Sequence, residues 1–297
     1  METHFENIPS WINPLGGLGD ALMLSGVLKL SLEHFPERCY NLIRRTKYHS
    51  ILEGHPAIVH VGFPPKDAEI IGTDYWAKPE YGRERAFQVL AGIFGLPLPV
   101  EERLFMPGIP DDDHLFADIP FGAKNILIAP ASDSPRKEMA SGYWEELTER
   151  LVSDGCFVMQ VGKQRNRHIR HAWSLLGLTT PRQLAALVKR CDLVITPDNF
   201  IMHLAHLQSI PAIVIWGPTT ANVYGYAGHT HLRATPECLE QADCIGPKNG
   251  NNYASLCHLG PAEHCLNRIG VDSVYQAAVK IIPKNTDAAK LISATEK

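Results

Sequence analysis

The sequence lacks a surplus of positive charge. Among 297 residues, 28 Lys and Arg side chains stand against 32 Asp and Glu side chains, which gives a formal net charge of −4. A protein that holds a nucleic acid needs a basic surface to neutralise the phosphates. We therefore expect no nucleic-acid partner.

Long apolar runs are also scarce. The longest, Val89–Val100, contains Pro97 and Pro99, whereas a membrane-spanning helix needs about 20 apolar residues. The first ten residues carry acidic side chains instead of the basic segment and apolar run of a secretory signal. These features predict a cytoplasmic protein with at most peripheral membrane contact.

The cysteine content does not indicate a disulfide framework, because the count of seven is odd and we expect no secretory signal. Four cysteines lie close together near the C-terminus, without the C-x-x-C pair of a zinc knuckle. They are Cys238, Cys244, Cys257 and Cys265. We favour free thiols that pack as small apolar side chains. A structural iron or zinc ion is the alternative, with these four as weak candidate ligands.

The order of patterns predicts two domains. Apolar strands alternate with amphipathic helices twice along the chain, which is typical of parallel sheets built from strand–helix–strand units. The segment Met106–Gly122 between the two series is rich in Pro, Gly and Asp and is the best linker candidate. We therefore predict an α/β protein with two Rossmann-like domains, over 1–115 and 122–297.

Two helices of the second series are predicted from different signals. Thr180 and Gln183 form a capping box with Pro181 at the first helical position. Earlier in the same half, the pattern predicts a helix over Ile169–Leu176.

A glycine-rich turn follows the first predicted strand. The run Leu15–Asp20 reads LGGLGD and leads into a helix. Glycines in such a turn let a ligand approach the backbone, and a helix N-terminus favours an anion. Asp20 has two interpretations, since an acidic residue here acts either in chemistry or simply as a helix cap.

A second polar loop, Ala129–Lys137, reads APASDSPRK and follows a predicted strand. The hydroxyls of Ser132 and Ser134 and the charge of Lys137 suit a diphosphate at the carboxyl end of a parallel strand. An ordinary polar loop between a strand and a helix also explains these residues. Both interpretations stay open at this point.

A third segment carries two turns that end at one sheet edge. Asp198 is placed to cap a helix, and His203 lies on that helix about one and a half turns further on. A histidine on an apolar helix is commonly a core residue, and the alternative is a ligand contact. The small-residue turn Gly217–Thr220 follows the next predicted strand. Two turns that converge on one edge favour the ligand site.

Together, and in this order, the segments resemble glycosyltransferase family nine, the ADP-heptose:lipopolysaccharide heptosyltransferases. The family's glycine-rich turn ends in Gly-Asp, as Gly19-Asp20 does here. Its loop with small hydroxyl residues and a Lys corresponds to Ala129–Lys137. Its most recognisable run is Asp-Thr-Gly-x-x-His-Leu-Ala, then a strand and Phe-Gly-Pro-Thr, matched by Asp198–Ala205 and Trp216–Thr219. The resemblance is densest over 125–220.

This resemblance implies a GT-B fold, in which the two Rossmann-like domains face each other across a cleft. It implies an inverting, metal-independent transfer of heptose from an ADP-sugar to a hydroxyl of a saccharide or lipid-linked saccharide, without a cofactor. The implied catalytic base is Asp20. The residues implied to bind the donor are Ser132, Ser134, Lys137, Gly162, Gln164, Thr179, Asp198, Asn199, Met202, His203, Gly217 and Thr219. Those implied to bind the acceptor are Gly17, Gly19, Arg44 and Arg45, and a solvated basic surface also explains the two arginines.

Two other functions are compatible with the pattern. A nucleotide-sugar 2-epimerase also binds its substrate between two Rossmann domains, but it needs more acid and base residues than Asp20 alone. A non-catalytic binding or assembly protein is the second alternative. In that case Asn199-Phe200, which stand where the family has Thr-Gly, would have disabled the donor site, and the cysteine group would be structural.

Overall fold

The computed structural model describes residues 9–45, 49–111, 116–117, 119–120, 124–233 and 265–282. The chain divides into two compact units, Met1–Gly108 and Ile109–Lys297, and this division falls inside the proline- and aspartate-rich segment. All strand pairs of the two described sheets are parallel. Within the described residues, no helix is both long and apolar enough to cross a membrane.

The N-terminal unit is built on a four-stranded sheet with the strand order β3-β2-β1-β4. Its elements are β1 (Trp11–Asn13), α1 (Leu18–His34), β2 (Tyr40–Ile43), α2 (His49–Leu52), β3 (Ile58–Gly62), β4 (Ile70–Gly72) and α3 (Ala86–Ile93). A short 3-10 helix, Tyr75–Ala77, follows β4. Both neighbours of β1 run parallel to it, so the loops after β1, β2 and β4 leave the sheet at the same edge.

Helix α1 is buried over most of its length. Its residues from Ala21 to Leu28 are all buried, as expected for a helix that is apolar on every side. The close packing of α1 against the backbone at Arg103 requires a glycine at position 26, because a Cβ atom there would lie 2.2 Å from the carbonyl oxygen of Arg103. The glycine turn that precedes α1 is thus attached to a rigid core element.

The C-terminal unit is built on a six-stranded sheet with the order β10-β9-β8-β5-β6-β7. Its elements are β5 (Lys124–Ile128), α4 (Ser141–Ser153), β6 (Cys156–Gln160), β7 (Trp173–Ser174), α5 (Pro181–Val188), β8 (Leu193–Pro197), α6 (Phe200–Leu207), β9 (Ala212–Trp216), α7 (Ala221–Tyr224), β10 (Thr230–Arg233) and α8 (Val271–Ile281). Every residue of β8 and β9 is buried, which is typical of central strands covered on both faces. The ends of β5, β8 and β9 are adjacent, so their loops converge.

The predicted helix over Ile169–Leu176 is wrong. The chain there forms β7 at the edge of the sheet, and the side-chain amide of Gln160 fixes the approach to it. That amide donates to the carbonyl oxygen of Arg167 at 2.8 Å and accepts from the backbone N–H of Ile169 at 2.8 Å. Tertiary hydrogen bonds therefore override the apolar spacing. The predicted capping box of Thr180 and Gln183 is confirmed at the start of α5.

Candidate functional site

Three polar side chains meet where β5, β8 and β9 end. The ammonium of Lys137 donates to Oδ2 of Asp198 at 2.6 Å, and the hydroxyl of Thr219 donates to the same oxygen at 2.5 Å. The side chains of Lys137 and Asp198 are only 12% and 8% exposed. The sheet topology brings these residues together from loops separated by as many as 82 positions, which lie between Lys137 and Thr219.

Asp198 is held as a carboxylate at neutral pH. Burial alone would raise its pKa, but the charge and hydrogen bond of Lys137, with smaller contributions from Thr219 and His203, bring the pKa below the ordinary value. The prediction that Asp198 caps α6 is wrong. Asn199 is the capping residue, and its Oδ1 accepts from the N–H of Ile201 at 2.9 Å. Asp198 faces Lys137 instead because an ion pair satisfies its buried charge better than one amide does.

The side chain of Asn199 also ties two loops together. Its amide nitrogen donates to the carbonyl oxygens of Ala129 at 3.1 Å and Ala131 at 2.9 Å. With the cap on Ile201, both ends of the amide are engaged. Asn199 thereby fixes the loop after β5 against the start of α6.

His203 lies on α6 and is 5% exposed. Its Nδ1 is 2.6 Å from the hydroxyl oxygen of Tyr226. Burial lowers the pKa of His203 to about 4, against the opposing charge of Asp198, so the ring is neutral at pH 7. Met202, next to it, is completely buried, and the structure gives its side chain no surface for contact with a donor.

The loop after β5 is held largely by its own side chains. The N–H of Ser132 donates to Oε1 of Glu138 at 2.8 Å, and the N–H of Ser134 donates to the hydroxyl oxygen of Ser132 at 3.3 Å. The backbone amides of Ser132 and Ser134 are therefore both engaged by nearby side chains. The hydroxyl of Ser134 is buried and has no hydrogen-bond partner among the described residues.

The loops after β6 and β7 contact each other at the same edge. The N–H of Gly177 donates to the carbonyl oxygen of Gly162 at 2.9 Å. Gly177 has a φ of +73°, and a Cβ atom there would lie 2.7 Å from Cβ of Gln164. Gly177 thus lies against both Gly162 and Gln164, while Thr179 is half-buried just before α5.

Gly217 is required for packing. A Cβ atom at this position would lie 3.0 Å from the side chain of Leu266 and 3.3 Å from Sγ of Cys265. Cys265 is buried against this turn. The other three cysteines of its group, Cys238, Cys244 and Cys257, lie outside the described residues.

In the N-terminal unit, Asp20 is the third residue of α1 and both of its carboxylate oxygens accept hydrogen bonds. Oδ2 accepts from the N–H of Gly17 at 2.6 Å. Oδ1 accepts from the hydroxyl of Tyr75 at 2.5 Å, and Tyr75 is 2% exposed. Asp20 therefore bonds back to the N-cap residue and is at the same time held in one orientation by a buried phenol.

The turn in front of Asp20 requires a glycine at position 16. Gly16 has a φ of +94°, and a Cβ atom there would lie 2.4 Å from Oδ2 of Asp20. Gly17 and Gly19 are half-buried beside it. Arg44 and Arg45 are exposed after β2, and Nε of Arg45 donates to Oδ1 of Asn13 at 2.9 Å, at the end of β1.

The Gly16→Ala variant should lose both stability and activity. The methyl group meets the Asp20 carboxylate and the backbone conformation is strained, so we expect a loss of about 1–3 kcal/mol in the free energy of unfolding. Gly82→Ala is the control, because Gly82 has a φ of +86° but open space around its Cβ position. Urea denaturation gives the loss in the free energy of unfolding for both variants, and the difference between the two losses is due to the contact of the methyl group with Asp20. Equal losses would contradict a close fit between Gly16 and Asp20.

Two tyrosines were missed by the sequence analysis. Tyr75 and Tyr226 each bond a predicted site residue, across 55 and 23 positions of the chain. The neighbouring sequence does not mark either tyrosine as a site residue, because packing explains a tyrosine in a turn equally well. Glu138 was also missed, although its place directly after the predicted diphosphate loop was a usable signal.

Comparisons with known proteins agree with this architecture. The sequence pattern of glycosyltransferase family 9 (heptosyltransferase) matches residues 79–241. The lipopolysaccharide core heptosyltransferase OpsX of Haemophilus influenzae is 29% identical over 163 residues, which are 50% of this chain and 44% of that protein. Lipooligosaccharide heptosyltransferase 2 of the same organism is 26% identical over 148 residues, 44% of this chain and 42% of that protein. The matched part thus spans less than half the length of these relatives.

Solved structures resemble the chain over most of its length. The ADP-heptose LPS heptosyltransferase II of E. coli has a TM-score of 0.65 at 12% identity, over 92% of this chain and 98% of that one. A family 9 glycosyltransferase of Veillonella parvula has a TM-score of 0.68 at 15% identity, over 92% and 96%. The iron-containing dodecameric glycosyltransferase TibC of enterotoxigenic E. coli has a TM-score of 0.69 at 16% identity, over 92% and 76%. The neighbours are GT-B heptosyltransferases, and the predicted α/β fold class is confirmed. Because the family pattern covers just over half of the sequence, the chain belongs to glycosyltransferase family 9.

Proposed function

We propose that the protein is an inverting, metal-independent glycosyltransferase that moves heptose from an ADP-sugar to a hydroxyl of a saccharide acceptor. The observation that supports this most directly is the buried Lys137–Asp198–Thr219 group beside the neutral His203. It lies at the carboxyl ends of parallel strands, where open α/β sheets bind their ligands. The donor class is inferred from relatives, since TibC has been crystallised with ADP-D-beta-D-heptose.

The C-terminal unit would bind the donor through its diphosphate. The positive charge of the Lys137 ammonium, beside Asp198, lies at this edge of the sheet. The N-terminus of α6 adds a positive partial charge at the same edge. These groups would stabilise the negative charge that builds on the leaving diphosphate as the bond from the anomeric carbon breaks.

In the N-terminal unit, Asp20 would act as the general base. It takes the proton of the acceptor hydroxyl while the acceptor oxygen attacks the anomeric carbon and the nucleoside diphosphate departs. A single displacement of this kind inverts the configuration at that carbon. The hydrogen bonds from Gly17 and Tyr75 hold the carboxylate in one orientation, which is what a base needs before its substrate arrives.

The acceptor class is inferred from charge and from the relatives. Arg44 and Arg45 are exposed at the sheet edge that also carries the Asp20 turn, and they suit an anionic saccharide or lipid-linked saccharide. OpsX carries the name of a lipopolysaccharide core heptosyltransferase, in agreement with such an acceptor.

The metal independence is tested by measuring the rate of sugar transfer in the presence of excess EDTA. We expect this rate to be unchanged.

Nucleotide binding is the first test. In a thermal-shift panel of ADP, UDP, GDP and their sugars, we expect ADP compounds to raise the melting temperature most. A ligand at 100 times its dissociation constant adds about 2.7 kcal/mol to the free energy of unfolding. A clear preference for UDP or GDP would contradict ADP-heptose as the donor, and no response to any nucleotide would favour an assembly protein. Release of the nucleotide that depends on an acceptor separates a transferase from an epimerase.

A further inference from the structure

Tyr226 lies between two histidines of α6. Its hydroxyl oxygen is 2.6 Å from Nδ1 of His203, and the two rings meet edge to face with centroids 5.6 Å apart. Its ring stacks on His206 with centroids 3.8 Å apart and an interplanar angle of 5°. A third histidine, His229, meets the same ring nearly edge-on at 5.7 Å. Tyr226 is therefore confined on several sides.

The backbone of Tyr226 is fixed as well. The indole N–H of Trp216, which can only donate, donates to Nδ1 of His231 at 3.0 Å. Nε2 of His231 therefore carries the ring hydrogen, and it donates to the carbonyl oxygen of Tyr226 at 3.0 Å. Because Tyr226 is only 3% exposed, its hydroxyl has little freedom to move away from His203.

This arrangement determines what His203 can offer to a ligand. A neutral imidazole has one nitrogen that donates and one that accepts. Tyr226 occupies Nδ1, so Nε2 is the nitrogen left for a ligand. If Nδ1 accepts from the phenol, Nε2 presents an N–H; in the opposite tautomer Nε2 would present a lone pair, which repels an anion.

We propose that Tyr226 is a positioning residue whose hydroxyl donates to Nδ1 of His203 and holds the imidazole in the tautomer that carries its hydrogen on Nε2. The N–H at Nε2 then donates to the diphosphate of the nucleotide-sugar. The identity of this ligand rests on the proposed function, whereas the tautomer does not. Tyr226 thus acts on the donor through His203 and without contact of its own.

The tautomer is measured on the free protein. NMR of the full-length chain with ¹⁵N-labelled histidine distinguishes a protonated from an unprotonated ring nitrogen, and the signals of His203 are assigned by their loss in His203→Asn. We expect the hydrogen on Nε2 in the wild type and a mixture of both tautomers in Tyr226→Phe. A wild-type His203 protonated on Nδ1 would overturn the proposal, and this measurement does not depend on the folding of any Tyr226 variant.

Calorimetric titration with ADP measures the effect on binding. Tyr226→Phe keeps the stacked ring and removes only the hydroxyl, so we expect the dissociation constant for ADP to rise about threefold to tenfold, the scale of one hydrogen bond. In a His203→Ala background the same substitution should have no further effect. Tyr275→Phe is the control, because it removes a phenol that donates to Asp154 at 2.5 Å and has no part in the proposed site.

The outcomes separate the two proposals. If Tyr226→Phe weakens ADP binding equally in both backgrounds, Tyr226 acts through general structure and the positioning role is refuted. If the wild type binds ADP and Tyr226→Phe changes neither binding nor tautomer, the positioning role is refuted while the proposed function stands. If the wild type binds no ADP, UDP or GDP, the proposed function fails, and the NMR measurement alone decides the tautomer.

Discussion

The Asp20→Asn variant should transfer sugar at a rate lower by about 10²-fold or more, the usual scale for the loss of a general base. An asparagine still supports the local structure, because its carbonyl oxygen can accept from the N–H of Gly17. Its NH₂ group then faces the hydroxyl of Tyr75, and a phenol oxygen can accept as well as donate. We therefore expect unchanged affinity for ADP and a melting temperature close to that of the wild type.

The matched control for this variant is Asp154→Asn. Asp154 accepts from the hydroxyl of Tyr275 at 2.5 Å, so the control changes a second tyrosine–aspartate pair of the same length outside the proposed site. Steady-state transfer assays and thermal denaturation of both variants separate catalysis from local stability. An Asp20→Asn protein that binds ADP and transfers sugar at the wild-type rate would leave Asp20 as a helix-capping residue only.

Lys137→Met should have the largest effect on stability. It leaves the carboxylate of Asp198 buried without its counter-charge, and removal of one partner of a buried ion pair costs about 3–5 kcal/mol in the free energy of unfolding. Donor affinity and turnover should fall together, because a cation on the diphosphate acts in both the ground state and the transition state. Urea denaturation and ADP titration measure the two effects.

The double variant Lys137→Met/Asp198→Asn separates charge from packing. It removes both charges, so it should be more stable than Lys137→Met alone while its affinity for ADP stays low.

The free energy of unfolding should also depend on pH, in a direction that the pKa of Asp198 determines. In the wild type the pKa of Asp198 is lowered, so its contribution to stability is present above the ordinary pKa of 3.8 and is lost as the pH falls below it.

In Lys137→Met, burial raises the pKa of Asp198 without opposition from the lysine. The deficit in stability relative to the wild type should therefore be largest at neutral pH and should shrink in acid, where the carboxyl is protonated. A deficit that is independent of pH would mean that the lysine stabilises the unit by packing alone.

The parts of the fold that follow from local sequence were predictable. Helix α5 begins where the capping box of Thr180 and Gln183 places it, and strand β9 spans the apolar run Ala212–Trp216. Lys137, Asp198 and Thr219 were predictable as a group, because parallel strands bring their carboxyl ends to one edge.

The pairings inside the site were not predictable. The choice of Asp198 as the partner of Lys137, and of Asn199 as the cap, depends on which oxygen lies nearest after the strands have paired. Tyr75 reaches Asp20 and Tyr226 reaches His203 only through the tertiary fold. Strand β7 depends on the amide of Gln160 in the same way. Side-chain hydrogen bonds between distant loops produce no periodic pattern in a sequence, so they cannot be predicted from one.

The hydrogen bonds of Asn199 make the loop after β5 dependent on a side chain outside that loop. Relatives of this chain are expected to carry Thr-Gly where it has Asn199-Phe200, and a threonine has no amide to donate to the carbonyl of Ala131. With threonine at position 199, one hydroxyl hydrogen would serve the two carbonyl oxygens that the Asn199 amide holds, so we expect the loop after β5 to be held less firmly. Because both acceptors are backbone carbonyl oxygens, the conformation of this loop depends on the residue at position 199 and not on the side chains of Ala129 and Ala131.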